Sequence, residues 1–170
     1  LVGAALPAEE IQIWTDIDGM HNNDPRVVED TEALRQLNFD EAAELAYFGA
    51  KILHPTCVLP AKYANIPVRL KNTMDPKAEG TLINNVVIKG KFKAVAAKDN
   101  ITTSEVGVSM SIDNNTHLDE IVNELKKYGT VTVDTDMCII CVVGDLDWNN
   151  LGFESQALDA MKNIPVRMIS

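Results

Sequence analysis

The stretch Ile11-Gln12-Ile13-Trp14-Thr15-Asp16-Ile17-Asp18-Gly19-Met20-His21-Asn22-Asn23-Asp24-Pro25-Arg26 decides how the rest of the chain is read. Its pattern predicts a short strand that runs out at Thr15-Asp16, then a loop closed by Asp24-Pro25. Asp18-Gly19 is a turn signal, because glycine accepts positive φ and Asp hydrogen-bonds its own backbone. In open α/β sheets, ligands collect where strands end at their carboxyl edge. A hydroxyl, a carboxylate and a guanidinium delivered there suit a nucleotide. Thr15 and Asp16 could meet ribose, base or a hydrated metal, and Arg26 a phosphate. Taken alone, the same residues serve equally well as an ordinary strand-to-loop junction.

Outward from this stretch, Leu1 to Pro7 is small and apolar, like the end of a helix. Val27 to Leu37 is acidic at first and then mildly helical. Asn38 followed by Glu41 makes a capping pair, and Phe39, Ala42, Ala43, Ala46, Gly49 and Ala50 fall at helical spacing on one small-residue face. Gly49-Ala50-Lys51 ends that helix. His54-Pro55 opens another, with Pro55 in its first turn and Pro60 interrupting or restarting it. His54 reads as a capping or core histidine. Ile66 to Leu70 is a short buried strand, and Asp75 to Gly80 a polar turn before Thr81-Leu82-Ile83. Phe92 to Ile101 reads as a strand.

The remainder spells one ferredoxin-like β-α-β-β-α-β unit from Val106 to Ser170. Val106, Val108, Met110 and Ile112 alternate with small and polar residues. Thr116 is expected to cap a helix with Leu118, Ile121, Val122 and Leu125 on its apolar face, stopped by Gly129. Val131 to Val133 and Met137 to Val143 read as separate strands around Asp134-Thr135-Asp136. Phe153, Ala157, Leu158 and Met161 mark a helix, and Val166 to Ile169 a closing strand.

The chain has 170 residues, 46% of them hydrophobic and 24% charged, which is ordinary for a globular protein. A net charge of -10 argues against nucleic acid and anionic membrane as partners, because both need a basic face. No apolar run reaches spanning length. Cys138 and Cys141 fall three apart in an alternating run and so on opposite strand faces, which speaks against a zinc or redox pair. Cys57 reads as a small buried hydrophobe. Such cysteine usage points to a reducing cytosol, so the expected location is cytoplasmic.

Three ordered segments carry a family resemblance: Trp14 to Val28 (WTDIDGMHNNDPRVV), Phe39 to Pro55 (FDEAAELAYFGAKILHP) and Ile66 to Pro76 (IPVRLKNTMDP). They resemble the carboxyl-terminal half of the catalytic domain of aspartate kinases. Thr103-Ser104-Glu105-Val106 is similar to the effector-binding region of their regulatory ACT domains. The wording is nearest to the monofunctional, lysine-sensitive type. The resemblance implies an α/β fold, part of an amino-acid-kinase α/β/α sandwich over residues 1–85. Ferredoxin-like ACT units, two and interleaved, would then occupy residues 86–170.

It also implies a function: transfer of the γ-phosphoryl group of ATP, as its Mg²⁺ complex, to the side-chain carboxylate of L-aspartate. That step leads toward lysine, threonine and methionine. By resemblance Thr15, Asp16, His21, Arg26 and Lys51 are nucleotide contacts, although His21 stands where relatives often carry Tyr. On residues alone, Lys51 reads as a solvated surface lysine. Ser104 and Glu105, with Ser111 on the polar face of the same strand as a weaker candidate, fall near an effector amino acid, with lysine the implied effector and threonine the alternative. ACT strands pairing across subunits imply a homodimer. The family's catalytic Lys and its Lys-Phe-Gly-Gly phosphate turn have no counterpart here, so the chain alone is expected to be inactive. Two other readings are a non-catalytic amino-acid-binding ACT chain and part of a bifunctional aspartate kinase–homoserine dehydrogenase.

The resemblance places a strand, a helix and another strand between Thr102 and Thr103, where this chain runs straight on, and further elements before Leu1 and after Ser170. The expectation is that the sequence joins separate pieces of a longer chain. An intact mass of 18.7 kDa for the purified protein overturns it.

Overall fold

The computed structural model describes residues 1–6, 8–48, 52–89, 92–105, 109–144 and 152–169. They form two compact units, Leu1–Ala96 with Val142–Ser170, and Ala97–Cys141.

The first unit is built on a four-stranded sheet ordered β1-β3-β4-β2. Its strands are β1 (Ile11–Thr15), β2 (Gln36–Asn38), β3 (Val68–Asn72) and β4 (Thr81–Asn84). β1 and β3 run parallel in the register Ile11↔Val68 through Thr15↔Asn72. β4 is antiparallel to β3 and parallel to β2. Alternation decides the faces: Val68, Leu70, Thr81 and Ile83 are buried, whereas Arg69 and Lys71 stand on the other side. There Lys71 Nζ lies 5.7 Å from the ring centre of Trp14, and Arg69 Nε pairs with Glu10 at 2.8 Å.

Helix α1 (Val2–Ala5) matches the apolar start, and α2 (Phe39–Phe48) follows β2 directly. The expected capping pair forms in both directions. Glu41 N–H donates to Asn38 Oδ1 at 2.9 Å, and Asn38 N–H donates to Glu41 Oε2 at 2.8 Å. α2 buries Phe39, Ala42 and Leu45 and packs on α3 (Pro55–Ala64), β2 and β4. His54 caps α3, its ring accepting from Thr56 N–H at 3.4 Å, with Pro55 in the first turn.

Several readings change. α3 runs through Pro60 unbroken, so the proline removes one hydrogen-bond donor without ending the helix. Cys57 is exposed, because α3 turns Val58 and Ala61 inward instead. Val27 to Leu37 is not helical. Its chain bends back so that Leu34 N–H donates to Met20 O at 2.7 Å and Asn22 N–H to Glu32 O at 2.9 Å, around an antiparallel bridge of His21 with Ala33. Backbone pairing with the preceding loop outweighs a weak helical propensity.

The three-stranded sheet is ordered β6-β5-β7, from β5 (Phe92–Glu105), β6 (Ser109–Ile112) and β7 (Thr132–Gly144). β5 passes without interruption through Thr102-Thr103 and pairs antiparallel with β6. The boundary expected after Asn85 precedes the division between units at Ala96 and Ala97. Thr116 caps no helix: Asn114 caps the 3₁₀ turn Asn115–His117, its Oδ1 accepting from Thr116 N–H at 3.0 Å, and His117 stands at the N-cap of the following helix without a side-chain hydrogen bond. α4 (Leu118–Leu125) then begins after one short 3₁₀ turn.

The two strands expected around Asp134-Thr135-Asp136 are one. β7 takes the turn signal as a single left-handed residue, Asp136 at φ 58°. α5 (Phe153–Ala160) is where the spacing put it. Val166–Ile169 forms no strand; a strand is stable only with a neighbour to pair with. The β-α-β-β-α-β order is therefore not completed as read, while the α/β class holds.

The first turn of α2 is acidic, with Asp40 and Glu41 near the positive helix end, where they are favoured. Glu44 lies one turn on from both. Partial burial, and then the charges of Asp40 and Glu41, push its carboxyl above the ordinary 4.5. A raised acid pKa means that the folded state resists ionisation, so the penalty is present above the folded pKa and gone below the unfolded one. Glu44→Gln is expected to stabilise at pH 7 by less than about 1 kcal/mol, given solvent screening. The gain should vanish below pH 4.5, as read by urea unfolding at both pH values.

Candidate functional site

β1 and β3 end side by side, because parallel pairing sets Thr15 opposite Asn72. Beyond this edge the chain folds into the loop from Asp16 to Arg35. Thr73 ties the edge together, donating to Thr15 O from its amide at 2.8 Å and from its hydroxyl at 2.6 Å. Thr15 Oγ accepts from Ile17 N–H at 3.2 Å and donates to Ile17 O at 3.1 Å, which closes the first turn of the loop.

The loop is anchored at Gly19-Met20. Gly19 has φ 121°, and a Cβ there would lie 2.3 Å from Thr81 Oγ, so only glycine fits. Met20 is fully buried, and its amide donates to Thr81 Oγ at 2.9 Å. The same hydroxyl donates to Leu34 O at 2.5 Å. One buried side chain on β4 thus holds the outgoing and returning limbs of the loop.

The titratable groups along the loop are paired among themselves. His21 Nε2 meets Asp18 Oδ1 at 2.8 Å and Nδ1 meets Thr31 Oγ at 2.9 Å. A carboxylate only accepts, so Nε2 carries a proton toward Asp18, and Nδ1 meets the Thr31 hydroxyl, which can donate or accept. Both ring nitrogens are occupied, and the side chain is 17% exposed. Arg26 forks onto Asp24, with Nε at 2.9 Å from Oδ1 and its amide at 2.9 Å from the same oxygen. The hydrogen bonds from Arg26 hold the Asp24 carboxyl below its ordinary range. This pair is on the surface, the Arg26 side chain being 69% exposed, so it contributes little stability and a phosphate can compete for the fork. Asp16 is exposed and takes no hydrogen bond from the described residues. Of Asp16, Asp18 and Asp24, then, one carboxylate stands open. That fits a hydrated Mg²⁺, which takes one or two carboxylates beside phosphate oxygens and keeps its waters. No cluster of three or more His, Cys, Asp or Glu suited to a metal occurs among the described residues.

Thr15, Asp16, His21 and Arg26 are thereby gathered on one strand end and its loop, while Lys51 lies outside the described residues. In the second unit Ser111 pairs with Thr103, and Ser104 with Met110. Ser111 is exposed, and the side chains of Ser104 and Glu105 lie outside the described set.

Comparison with known proteins places the chain beside one group of enzymes. Residues 1–72 match the model of the amino acid kinase family. Aspartokinase 1, chloroplastic, of Arabidopsis thaliana is 32% identical over 216 residues, covering 99% of this chain and 38% of that protein. Lysine-sensitive aspartokinase 3 of Escherichia coli is 30% identical, over 99% of this chain and 47% of its own length. A crystal structure of E. coli aspartokinase III in complex with aspartate and ADP superposes with a TM-score of 0.86 at 26% identity, over 99% of this chain and 47% of that one. The chain is an aspartate kinase homologue.

The homologue spans less than half the length of these relatives. The Arabidopsis alignment, at 216 positions, is longer than the 170 residues here, so that relative carries internal segments with no counterpart in this chain. At the level of its α/β layout and mixed sheets, the homologue follows the E. coli structure. Among its described residues no helix is long and apolar enough to cross a membrane.

The sequence carries no mark of Thr31 or Thr81 as partners of this region. A threonine opening a strand carries no mark of the two loop limbs it will bridge. Thr81→Val is expected to strand the Met20 amide and the Leu34 carbonyl, costing about 2–4 kcal/mol. Thr81→Ser should keep both bonds and lose under about 1 kcal/mol, with denaturant titration of the two variants as the check.

Proposed function

We propose that this chain is the nucleotide-binding and regulatory portion of an aspartate kinase, which phosphorylates the side-chain carboxylate of L-aspartate with ATP. The observation that carries the reading is the paired carboxyl ends of β1 and β3, where Thr15, Asp16, His21 and Arg26 share one anchored loop. Residues 1–85 would be the catalytic-domain part and 86–170 the ACT regulatory region. Thr15 and Asp16 would meet the ribose and the hydrated Mg²⁺ of the nucleotide, His21 would stack on the base, and Arg26 with Lys51 would hold phosphate oxygens. Phosphoryl transfer needs mostly such positioning and charge neutralisation. Mg²⁺ would supply charge compensation on the phosphates; the chain's own part is to orient the nucleotide.

Ser104, Glu105 and Ser111 would line an effector site for lysine, the amino acid in the name of the lysine-sensitive E. coli relative. A carboxylate and hydroxyls suit an amino group. A homodimer formed through ACT strands, in the cytoplasm, would be the regulated unit, with lysine acting by its differential affinity for two arrangements.

Calorimetric titration of the chain with Mg·ADP tests the nucleotide half. Asp16→Asn and Arg26→Met are each expected to weaken binding by about tenfold, some 1.4 kcal/mol. Glu105→Gln should weaken lysine binding and leave Mg·ADP binding alone. Unchanged Mg·ADP affinity in both loop variants would sink the nucleotide assignment.

A further inference from the structure

Lys93 and Glu41 form the one ion pair among the described residues whose side chains are both nearly buried, 8% and 5% exposed, with Nζ 2.6 Å from Oε2. Such a pair is a poor source of stability, because two charges leave water to make it. Its value is in position. The same Glu41 Oε2 accepts the Asn38 amide at the start of α2, while Oε1 is buried with no partner among the described residues. The carboxylate therefore depends on Lys93 and the helix cap for its compensation.

Lys93 belongs to β5, and two residues further along that strand the Val95 amide donates to Asn22 O at 2.9 Å. Asn22 is itself fastened to Glu32 through its amide at 2.9 Å and its side-chain oxygen at 3.0 Å. The opening residues of β5 thus grip two separate parts of the first unit: the beginning of α2, and the site loop between His21 and Arg26. Two clefts share Asn22, Phe92 and Lys93 in their walls, so the joint is not packed solid. Nor does β5 stop there. It continues unbroken to Glu105, where the effector candidates lie.

We propose that Lys93 is a positioning residue for the nucleotide loop, clamping β5 to the amino-terminal end of α2 through Glu41 so that Val95 holds Asn22 in register. The strand carrying Ser104 and Glu105 is by this joint the strand that sets the loop, which gives an effector a covalent route to the nucleotide side. This regulatory part rests on the function proposed above; the joint itself does not.

Hydrogen exchange on the full chain, free of ligand, tests the joint. In Lys93→Met, amides of residues 20–24 and 38–45 should both exchange at least about tenfold faster, while β3 stays as in the wild type and Lys93→Arg restores both segments. Faster exchange confined to 92–96, or rising equally in β3, overturns the proposal. Glu41→Gln keeps an acceptor for Asn38 and removes the charge, and carries the same expectation if Lys93→Met fails to fold. Mg·ADP affinity should fall about tenfold in Lys93→Met and recover in Lys93→Arg; unchanged affinity overturns the link to the nucleotide. A wild-type chain that binds no Mg·ADP refutes the nucleotide reading instead, and the exchange pattern then decides the joint alone.

Discussion

A single hydroxyl, that of Thr81, takes the Met20 amide and gives its proton to the Leu34 carbonyl inside the first unit. Both limbs of the loop beyond β1 hang on it. The contact is possible only because Gly19 has no Cβ and can adopt φ 121°, which lets the backbone approach β4 closely. Once the loop base is fixed, the rest follows from short-range pairing. Leu34 bonds back to Met20 and Glu32 to Asn22, Asp18 and Thr31 orient His21, and Asp24 holds the Arg26 guanidinium. A loop of this length otherwise carries a substantial entropy of disorder.

Polar groups in this unit divide by burial, and burial decides what they can do. The exposed Asp24–Arg26 pair is weak and exchangeable, which suits a group that must give up its partner to a phosphate. The buried Glu41–Lys93 pair is the opposite. It cannot be broken without leaving a nearly buried charge unpaired, so it acts as a fixed point. Trp14, Lys71, Arg69 and Glu10 on the outer sheet face form a third kind, a half-buried cross-strand cluster of modest strength.

The readings that failed share a cause. Pro60 and Asp134-Thr135-Asp136 are local breakers, yet α3 and β7 pass through both. Each break costs one hydrogen bond or one left-handed residue, less than an element loses by ending early. Val27 to Leu37 departs in the other direction: weak local propensity yields to pairing with residues far enough back to escape a periodic pattern. Cys57 came out exposed because the face of α3 is chosen by what Val58 and Ala61 meet, not by cysteine's average preference. Where signals were local and strong, they held: the Asn38–Glu41 cap, the His54 cap and the strand ending at Thr15.

The sequence by itself determined the α/β class, the kinship with aspartate kinases, and the clustering of Thr15, Asp16, His21 and Arg26, which are neighbours along the chain. Short sequence separation makes such groupings readable, because a strand end and its loop cannot carry them far apart. Only the tertiary structure decided that Thr81 anchors the loop, that His21 is held by Asp18 and Thr31, and that Lys93 lies against Glu41. Those contacts join residues up to 61 positions apart. No periodicity records them, since they arise when β4 and β5 are laid beside a loop and a helix whose own patterns are complete without them.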